Sequence, residues 1–184
     1  MVSLKQQRQS GFTIVELLIV IIIIGILAGL VITQILGANA KARDTERKTD
    51  LESITNQLEA YYTKTGGYPI LATASTDGIL NPAWRTANEF ATGDSSKSLL
   101  DPTSSTLIGG TVPASPAATG PYTYIPLPAG CASPTDSTGA KLATSPTLCT
   151  SFTLTALLEN KNDPQKDSSS TATQTFFIKK SATQ

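Results

Sequence analysis

One carboxylate lies inside a long apolar segment that is otherwise uncharged. From Phe12 to Ile32 the chain carries a single charged residue, Glu16. As a helix this segment would be about 30 Å long, which matches the hydrocarbon core of a bilayer and predicts membrane insertion. A carboxylate costs about 2.5–3.5 kcal/mol at the centre of a spanning helix and less near its end. Such a residue is typical of a contact with a functional partner, although its chemistry alone leaves open a position at headgroup level.

The rest of the composition excludes several kinds of chemistry. The chain contains no histidine, which excludes Ser-His-Asp and Cys-His catalysis and metal sites with histidine ligands. We identify no nucleophile–base set, no glycine-rich phosphate loop and no metal-ligand cluster, so we expect neither an enzyme nor a cofactor or metal site. Residues 160–167 contain conceivable calcium ligands, but their spacing matches no EF-hand loop. Basic and acidic residues number 14 each, and this balance does not predict nucleic-acid binding.

The helical pattern continues beyond the apolar segment and becomes amphipathic. Apolar residues recur there at intervals of three and four, which predicts one buried stripe. The stripe consists of Leu51, Ile54, Leu58 and Tyr61 or Tyr62. Asp44 and Lys48 are spaced for an ion pair on one face of the helix. Gly66 and Pro69 predict that the helix ends at Thr65, because glycine adopts the left-handed cap and proline cannot continue a helix.

The pattern after the helix predicts a small α+β domain. Three segments are rich in aromatic and β-branched residues or alternate apolar with polar residues, and turn-rich segments separate them. These strand candidates are residues 122–126, 151–158 and 175–179. They predict an antiparallel meander, and the long helix would pack across its apolar face. Pro82 predicts a helical turn around Trp84, which we expect in the core rather than at an exposed contact, and residues 113–116 mark a loop.

The residues around Glu16 resemble the signal of type IV pilins and pseudopilins. A short leader with two basic residues ends at Gly11, Phe12 follows, and Glu16 is the fifth residue after the glycine. An unbroken run of aliphatic residues comes next. An ordinary secretory signal differs, because its apolar segment is shorter and its cleavage site follows that segment. The tyrosine-rich end of the predicted helix, followed by glycine, tyrosine and proline at residues 67–69, also resembles this family.

The resemblance implies how the precursor is processed. A prepilin peptidase would remove residues 1–11 by cutting between Gly11 and Phe12, and it would N-methylate the new amine of Phe12. Glu16 would then meet the Phe12 amine of its own or a neighbouring subunit during filament assembly. Basic residues lie on both sides of the apolar segment, so charge bias alone leaves the orientation open. The cleavage signal favours a cytoplasmic N-terminus.

The resemblance also implies how the chain is divided. Residues 12–33 would form a transmembrane helix that later lies in the filament core, and residues 34–65 would form the amphipathic helix. Residues 66–184 would form the globular head. Export of this head favours a disulfide between Cys131 and Cys149 over two free thiols. The enclosed loop would be similar to the disulfide-bounded region near the C-terminus of many pilins.

We therefore expect a structural filament subunit, and specifically a major pilin of a type IV pilus. Its partners would be copies of itself, the prepilin peptidase and the pilus assembly machinery, with no nucleic acid among them. The precursor would cross the cytoplasmic membrane once, and the assembled subunit would lie in an extracellular pilus. The alternatives are a pseudopilin of a type II secretion system or a DNA-uptake pilus, and a membrane-tethered adhesin or binding domain.

Overall fold

The structure is a computed structural model that describes residues 11–72, 78–105, 107–110, 122–142, 147–171 and 174–181, with residues 33–36 described by their backbone alone. The leader residues 1–10 and the predicted loop at 113–116 lie outside the described residues. The chain divides into two compact units. The first unit extends to Asn39, and the second unit extends from Ala40 onward.

Helix α1 begins at Ile14 and ends at Thr65. Within the first unit, the side chains that follow Phe12 are apolar and exposed as far as Ile32, with Glu16 as the charged exception. No proline occurs in this segment, so every residue can donate its backbone N–H to the helical ladder. By length and composition, α1 is able to cross a membrane.

Within the second unit, α1 buries one face. The predicted apolar stripe is buried and consists of Leu51, Ile54, Leu58 and Tyr61. The helix stops at Thr65, and the N–H of Gly66 donates to the carbonyl of Tyr62 at 2.8 Å. Gly66 has a φ of +84°, a left-handed conformation that favours glycine because it has no Cβ. The predicted end of the helix is confirmed.

Three antiparallel strands form the sheet. Strand β1 spans Thr123–Leu127, β2 spans Ser151–Leu158 and β3 spans Thr175–Lys180. The strand order is β1-β2-β3, so consecutive strands are neighbours. Tyr124 lies opposite Leu154, and Ala156 lies opposite Phe177. The predicted antiparallel meander and the α+β class are confirmed.

One hydrophobic core joins α1 to the sheet within the second unit. Leu58 of α1, Tyr124 of β1 and Phe152 of β2 belong to the same buried cluster. The ring of Tyr68, just after the helix, packs edge-on against Phe152 with 4.9 Å between the centroids. Such aromatic pairs add about 0.5–1.5 kcal/mol beyond the apolar area that they bury. The sheet and the amphipathic part of α1 therefore stabilise each other.

Helix α2 spans Pro82–Ala87, where the sequence predicts a helical turn. The side chain of Asn81 caps this helix by accepting two backbone N–H groups of its first turn. Trp84 is fully buried, and its indole N–H donates to the carbonyl of Thr135 at 3.3 Å. The predicted core position of Trp84 is confirmed. A 3₁₀ helix follows at Gly93–Leu99.

A disulfide joins Cys131 and Cys149, whose Cα atoms lie 4.9 Å apart. The two residues are separated by 18 positions, and a crosslink of this span is worth about 3 kcal/mol in the loop-entropy model. The N–H of Tyr68 donates to the carbonyl of Cys149 at 2.8 Å. The crosslinked segment is thereby tied to the residues that follow α1.

We expect Leu58→Ala to lower the free energy of unfolding by about 2–5 kcal/mol, because Leu58 is fully buried in the core. Asn56→Ala is the matched control, since Asn56 is exposed on the same helix, and it should change this free energy by less than about 0.5 kcal/mol. The chain has a single tryptophan, the buried Trp84, whose fluorescence reports unfolding in urea. Equal losses in the two variants would contradict the described core.

Candidate assembly segment and charged cluster

The two residues predicted to flank the cleavage site lie before the first turn of α1. Gly11 and Phe12 are not helical, and both are exposed, Phe12 at 86%. A side chain at position 11 would have no described atom within 4 Å of its Cβ. Both residues of the predicted cleavage site are therefore exposed and outside the helix.

Glu16 and Thr13 form a capping box at the start of α1. One carboxylate oxygen of Glu16 accepts the backbone N–H of Thr13 at 2.9 Å and its hydroxyl at 2.7 Å. The Thr13 hydroxyl oxygen in turn accepts the N–H of Glu16 at 3.2 Å. This reciprocal arrangement satisfies backbone groups that the first helical turn leaves without partners. It also gives the carboxylate local hydrogen-bond donors at the end of an apolar segment.

An exposed apolar surface follows the capping box. Every large apolar side chain from Ile14 to Ile32 is about half exposed or more. Monomeric soluble proteins rarely expose a contiguous apolar area of this size, and such areas mark interfaces with membranes or other proteins. This part of α1 can therefore be stabilised either by a bilayer or by other apolar helices.

A buried guanidinium organises the charges of the second unit. Arg47 is only 2% exposed and donates to three carboxylates at 2.9–3.0 Å, those of Asp44, Asp101 and Glu159. It also donates to the hydroxyl of Thr103 at 2.9 Å. A buried charge needs opposite charge and hydrogen-bond partners, and this arrangement supplies three carboxylates and a hydroxyl. Arg47 therefore joins α1 to the segment after the 3₁₀ helix and to the end of β2.

Asp44 and Lys48 do not form the ion pair that their helical spacing predicts. Asp44 accepts hydrogen bonds from Arg47 and from the backbone N–H groups of Glu159 and Asn160, at 2.8–2.9 Å for the two backbone groups. Lys48 instead donates to both carboxylate oxygens of Asp163 at 2.6 Å. The prediction was wrong because acceptors and donors on the β2–β3 connection offer each side chain a more buried partner.

Two acidic residues of the β2–β3 connection have lowered pKa values. The pKa of Glu159 is lowered first by the hydrogen bond from Arg43 and then by Arg47, against the effect of burial. Burial is the largest single effect on Asp163 and raises its pKa, but the hydrogen bonds from Lys48 and the Gln165 N–H, together with the charges of Lys48 and Lys41, outweigh it and lower the pKa of Asp163. Both carboxylates therefore stay ionised at neutral pH and hold the connection against α1.

Asp50 has the opposite perturbation. The pKa of Asp50 is raised to about 6. Burial is the main cause, and the charges of Glu46 and Asp101 also contribute to the rise. The hydroxyl of Tyr122 donates to Asp50 at 2.6 Å, which partly offsets these effects. The same burial raises the pKa of Tyr122. Asp50 is thus an incompletely compensated carboxylate on the surface of α1.

The segment considered for calcium uses its central carboxylate internally. Asp163 is bound to Lys48 and also accepts the N–H of Gln165 at 2.9 Å. Within the described residues, no group of three or more histidine, cysteine or acidic side chains could hold a metal ion. The chemistry of this connection is therefore that of ion pairs and turns.

Sequence reasoning missed the charged cluster and the capping box. The partners Asp101 and Glu159 lie 54 and 112 residues from Arg47, and no local pattern reveals such a contact. The capping box had a readable signal, since threonine followed three residues later by glutamate before an apolar run is its typical pattern. Glu16 is therefore both a charge at the end of the apolar segment and a capping residue at the N-terminus of the helix.

Comparison with known proteins identifies the N-terminal segment. Residues 6–32 match the family model described as the prokaryotic N-terminal methylation motif. The chain is 38% identical over 66 residues to the type II secretion system core protein G of Aeromonas hydrophila, 36% over 66 residues to that of Pseudomonas aeruginosa and 37% over 65 residues to that of Vibrio cholerae. These matches confirm the resemblance to type IV pilins and pseudopilins.

The similarity covers a limited part of each chain. The matched residues make up 35–36% of this chain and 44–46% of the three relatives, so the chain spans less than half the length of the curated relatives that it matches. No solved structure matches the chain. The similarity therefore supports an inference for only about a third of the chain.

We expect Arg47→Ala to lower the free energy of unfolding by about 3–5 kcal/mol, because it leaves the buried Asp101 without its counter-charge. Arg43→Ala is the matched control, since Arg43 binds Glu159 from a partly exposed position, and it should cost less than about 1 kcal/mol. Urea unfolding followed by Trp84 fluorescence measures both. A cost below that of Arg43→Ala would show that Arg47 is not the centre of the cluster.

Asp50→Asn should stabilise the second unit at about pH 8 and leave it unchanged at about pH 4. The folded pKa of Asp50, about 6, exceeds the ordinary value of 3.8, so folding favours the protonated form and stability falls as the pH rises between these values. Asparagine removes the charge and still accepts the Tyr122 hydroxyl. The difference in melting temperature between variant and wild type measures the effect, because the two chains differ in this carboxyl group alone. A variant less stable than wild type at the higher pH would contradict the raised pKa.

Proposed function

We propose that this chain is a structural subunit of a type II secretion pseudopilus and polymerises through the N-terminal part of α1. The observation that carries the proposal is the exposed apolar surface of residues 14–32, directly after a matched N-terminal methylation motif. The names of the relatives favour this function over the major type IV pilin expected from the sequence. The assignment at the coarser level, to pilin-like proteins, holds for both functions.

Maturation would begin at the bond between Gly11 and Phe12. A prepilin peptidase would remove residues 1–11 and methylate the new amine of Phe12. Residues 12–33 would then form the membrane-spanning segment, residues 34–65 the amphipathic part of the helix and residues 66–184 the globular domain. The role of the chain would be structural, and no catalytic step is assigned to its residues.

Two environments in succession would cover the apolar surface. The bilayer would cover it in the precursor, which would cross the cytoplasmic membrane once with its N-terminus in the cytoplasm. Helices of other copies would cover it after extraction into the filament. Contacts between copies would be heterologous, joining different surfaces of neighbouring subunits, because only such contacts repeat without closing. The assembly machinery of the membrane would be the second class of partner.

Glu16 would guide this assembly by binding the Phe12 amine of its own or a neighbouring copy. Opposite charges attract strongly in an apolar layer, and an unpaired charge there is penalised. The position of Glu16 at the start of α1 places its carboxylate within one turn of the new N-terminus. Pairing across copies would also fix the axial register of neighbouring helices.

A type IV pilin remains the second candidate. The disulfide between Cys131 and Cys149 favours it, because the enclosed segment resembles the disulfide-bounded region of many pilins. The similarity to the secretion proteins also covers only 36% of the chain. A tethered adhesin is the third possibility, but it requires neither a cleavage signal before the apolar segment nor a carboxylate at Glu16.

We expect Glu16→Ala to abolish filament formation while the cleaved chain persists in the membrane. Glu52→Ala is the matched control, because Glu52 is an exposed glutamate on the same helix that binds only Lys179, and it should assemble normally. Intact-mass spectrometry of sheared fibres and of membranes from the native host measures the amount and the N-terminus of each species. A chain that still begins at Met1 in the membrane would overturn the filament proposal.

The two filament functions are separated by deleting the gene in the same host. A pseudopilin is expected to form a small but detectable part of the sheared fibres, and its loss should retain exported enzymes behind the cell envelope, as measured by their activity in the medium. A major pilin should dominate the fibres, and its loss should leave secretion unchanged. The second result would replace the secretion function with that of a pilus.

A further inference from the structure

Nearly every described carboxylate of the second unit has a compensating partner. Eight ion pairs and several hydrogen bonds from neutral donors account for them. The carboxylates that bind cations are Asp44, Glu52, Glu89, Asp94, Asp101, Glu159 and Asp163, and those that accept local hydrogen bonds are Glu59, Asp136 and Asp167. Among the described residues, this leaves two carboxylates of α1: Glu46 has no ion pair, and Asp50 accepts only the neutral hydroxyl of Tyr122. The two lie one turn apart on α1, where like charges repel.

Asp50 is the more costly of these two charges. Its carboxylate is half-buried, and one of its oxygens accepts the Tyr122 hydroxyl at 2.6 Å. The other oxygen has no hydrogen-bond donor within the described part of the chain. Glu46 is fully hydrated by comparison, because it is exposed. A carboxylate that is partly removed from water without a counter-charge is a site that an added cation would stabilise.

Arg85 is the complementary case on α2. It is partly buried, and burial without a nearby carboxylate lowers the pKa of Arg85. One guanidinium nitrogen donates to the carbonyl of Ile79 at 2.7 Å, which leaves most of its N–H donors unused. The other arginines of the second unit, Arg43 and Arg47, bind carboxylates. Among the described arginines, Arg85 is therefore the one whose guanidinium can still bind a carboxylate of another molecule.

We propose that Arg85 of one copy binds the Asp50 carboxylate of the next copy in the filament, with Glu46 beside it. The inference rests on the proposed self-assembly and specifies one of its contacts. Within the described part of the chain, Asp50 and Arg85 are partly buried charges of opposite sign on different elements, so the contact is heterologous and repeats from copy to copy. The planar guanidinium suits two-point binding of a carboxylate, which a hydrated lysine does not match.

A second copy explains these charges better than an unrelated partner does. A partner of one sign would neutralise Asp50 or Arg85 but not both. Within a single copy the two residues form no ion pair, and no carboxylate contributes to the electrostatics of Arg85. Exposed lysines such as Lys141 stay hydrated and need no counter-charge, so they do not compete as candidates.

Charge reversal tests the contact in the full chain, expressed with its assembly machinery in the native host. Arg85→Asp and Asp50→Arg should each reduce the chain in sheared fibres by at least about tenfold. Lys141→Asp is the matched control, with the same change of charge at an exposed lysine, and it should assemble as wild type does. Trp84 fluorescence of each detergent-solubilised variant verifies folding of the second unit.

The doubly reversed variant, Arg85→Asp with Asp50→Arg, should restore fibres toward the wild-type amount. Normal assembly of either single variant, or no recovery in a folded double variant, would overturn this contact and leave the proposed function intact. Failure of the wild-type chain to enter fibres would instead overturn the proposed function and the contact with it.

Cysteine crosslinking gives a second measurement that does not depend on charge. A chain carrying both Asp50→Cys and Arg85→Cys should form a ladder of covalent multimers in oxidised fibres. Each single cysteine variant should stay monomeric, because the contact joins unlike positions. Monomers from the double variant within intact fibres would overturn the proposal even if the charge variants were to misfold.

Discussion

A buried guanidinium constrains the whole second unit. Arg47 lies on α1, but its carboxylate partners Asp101 and Glu159 come from segments that are far away in sequence. An arginine can be buried only if its charge and its donors are matched, so these segments must meet at one point on the helix. Asp101 is itself fixed, because its other oxygen accepts the N–H groups of Thr103 and Ser104. The cluster therefore specifies the position of the sheet along α1, which apolar contacts alone define less sharply.

The first unit is subject to the opposite constraint. Its surface from Ile14 to Ile32 is apolar and exposed, and nothing within the described chain covers it. In the described part of the second unit, apolar side chains are buried in the core and most charged side chains have partners, apart from a few such as Asp50 and Arg85. One chain thus combines a self-sufficient domain with a segment that requires other molecules. In the proposed function, the first unit would be covered by a bilayer and then by other copies in a filament, while the second unit would keep its fold in both states.

Local periodicity explains which parts of this structure were predictable. The stripe containing Leu51, Ile54 and Leu58 follows the helical repeat, and the three strands follow alternation between turn-rich segments, so both were confirmed. The burial of Trp84 followed from the general tendency of tryptophan and from a helix start at a proline. The charged cluster was beyond such reasoning, because helical spacing suggested that Asp44 pairs with Lys48. In the structure, Lys48 pairs with Asp163 and Asp44 accepts the N–H of Glu159. Both partners belong to the β2–β3 connection, which only the folded chain brings to α1.

The capping box gives cleavage a direct electrostatic consequence for Glu16. In the uncut chain the carboxylate is held by the neutral N–H and hydroxyl of Thr13, and the nitrogen of Phe12 is part of an uncharged peptide bond. In the proposed maturation, a cut after Gly11 would convert that nitrogen into an ammonium only a few residues before Glu16. Hydrogen bonds between ionised groups are roughly twice as strong as those between neutral ones, so an ammonium can displace the Thr13 donors. In the proposed filament, cleavage would therefore change the preferred partner of Glu16 from a residue of its own helix to an amine that a neighbouring copy can supply.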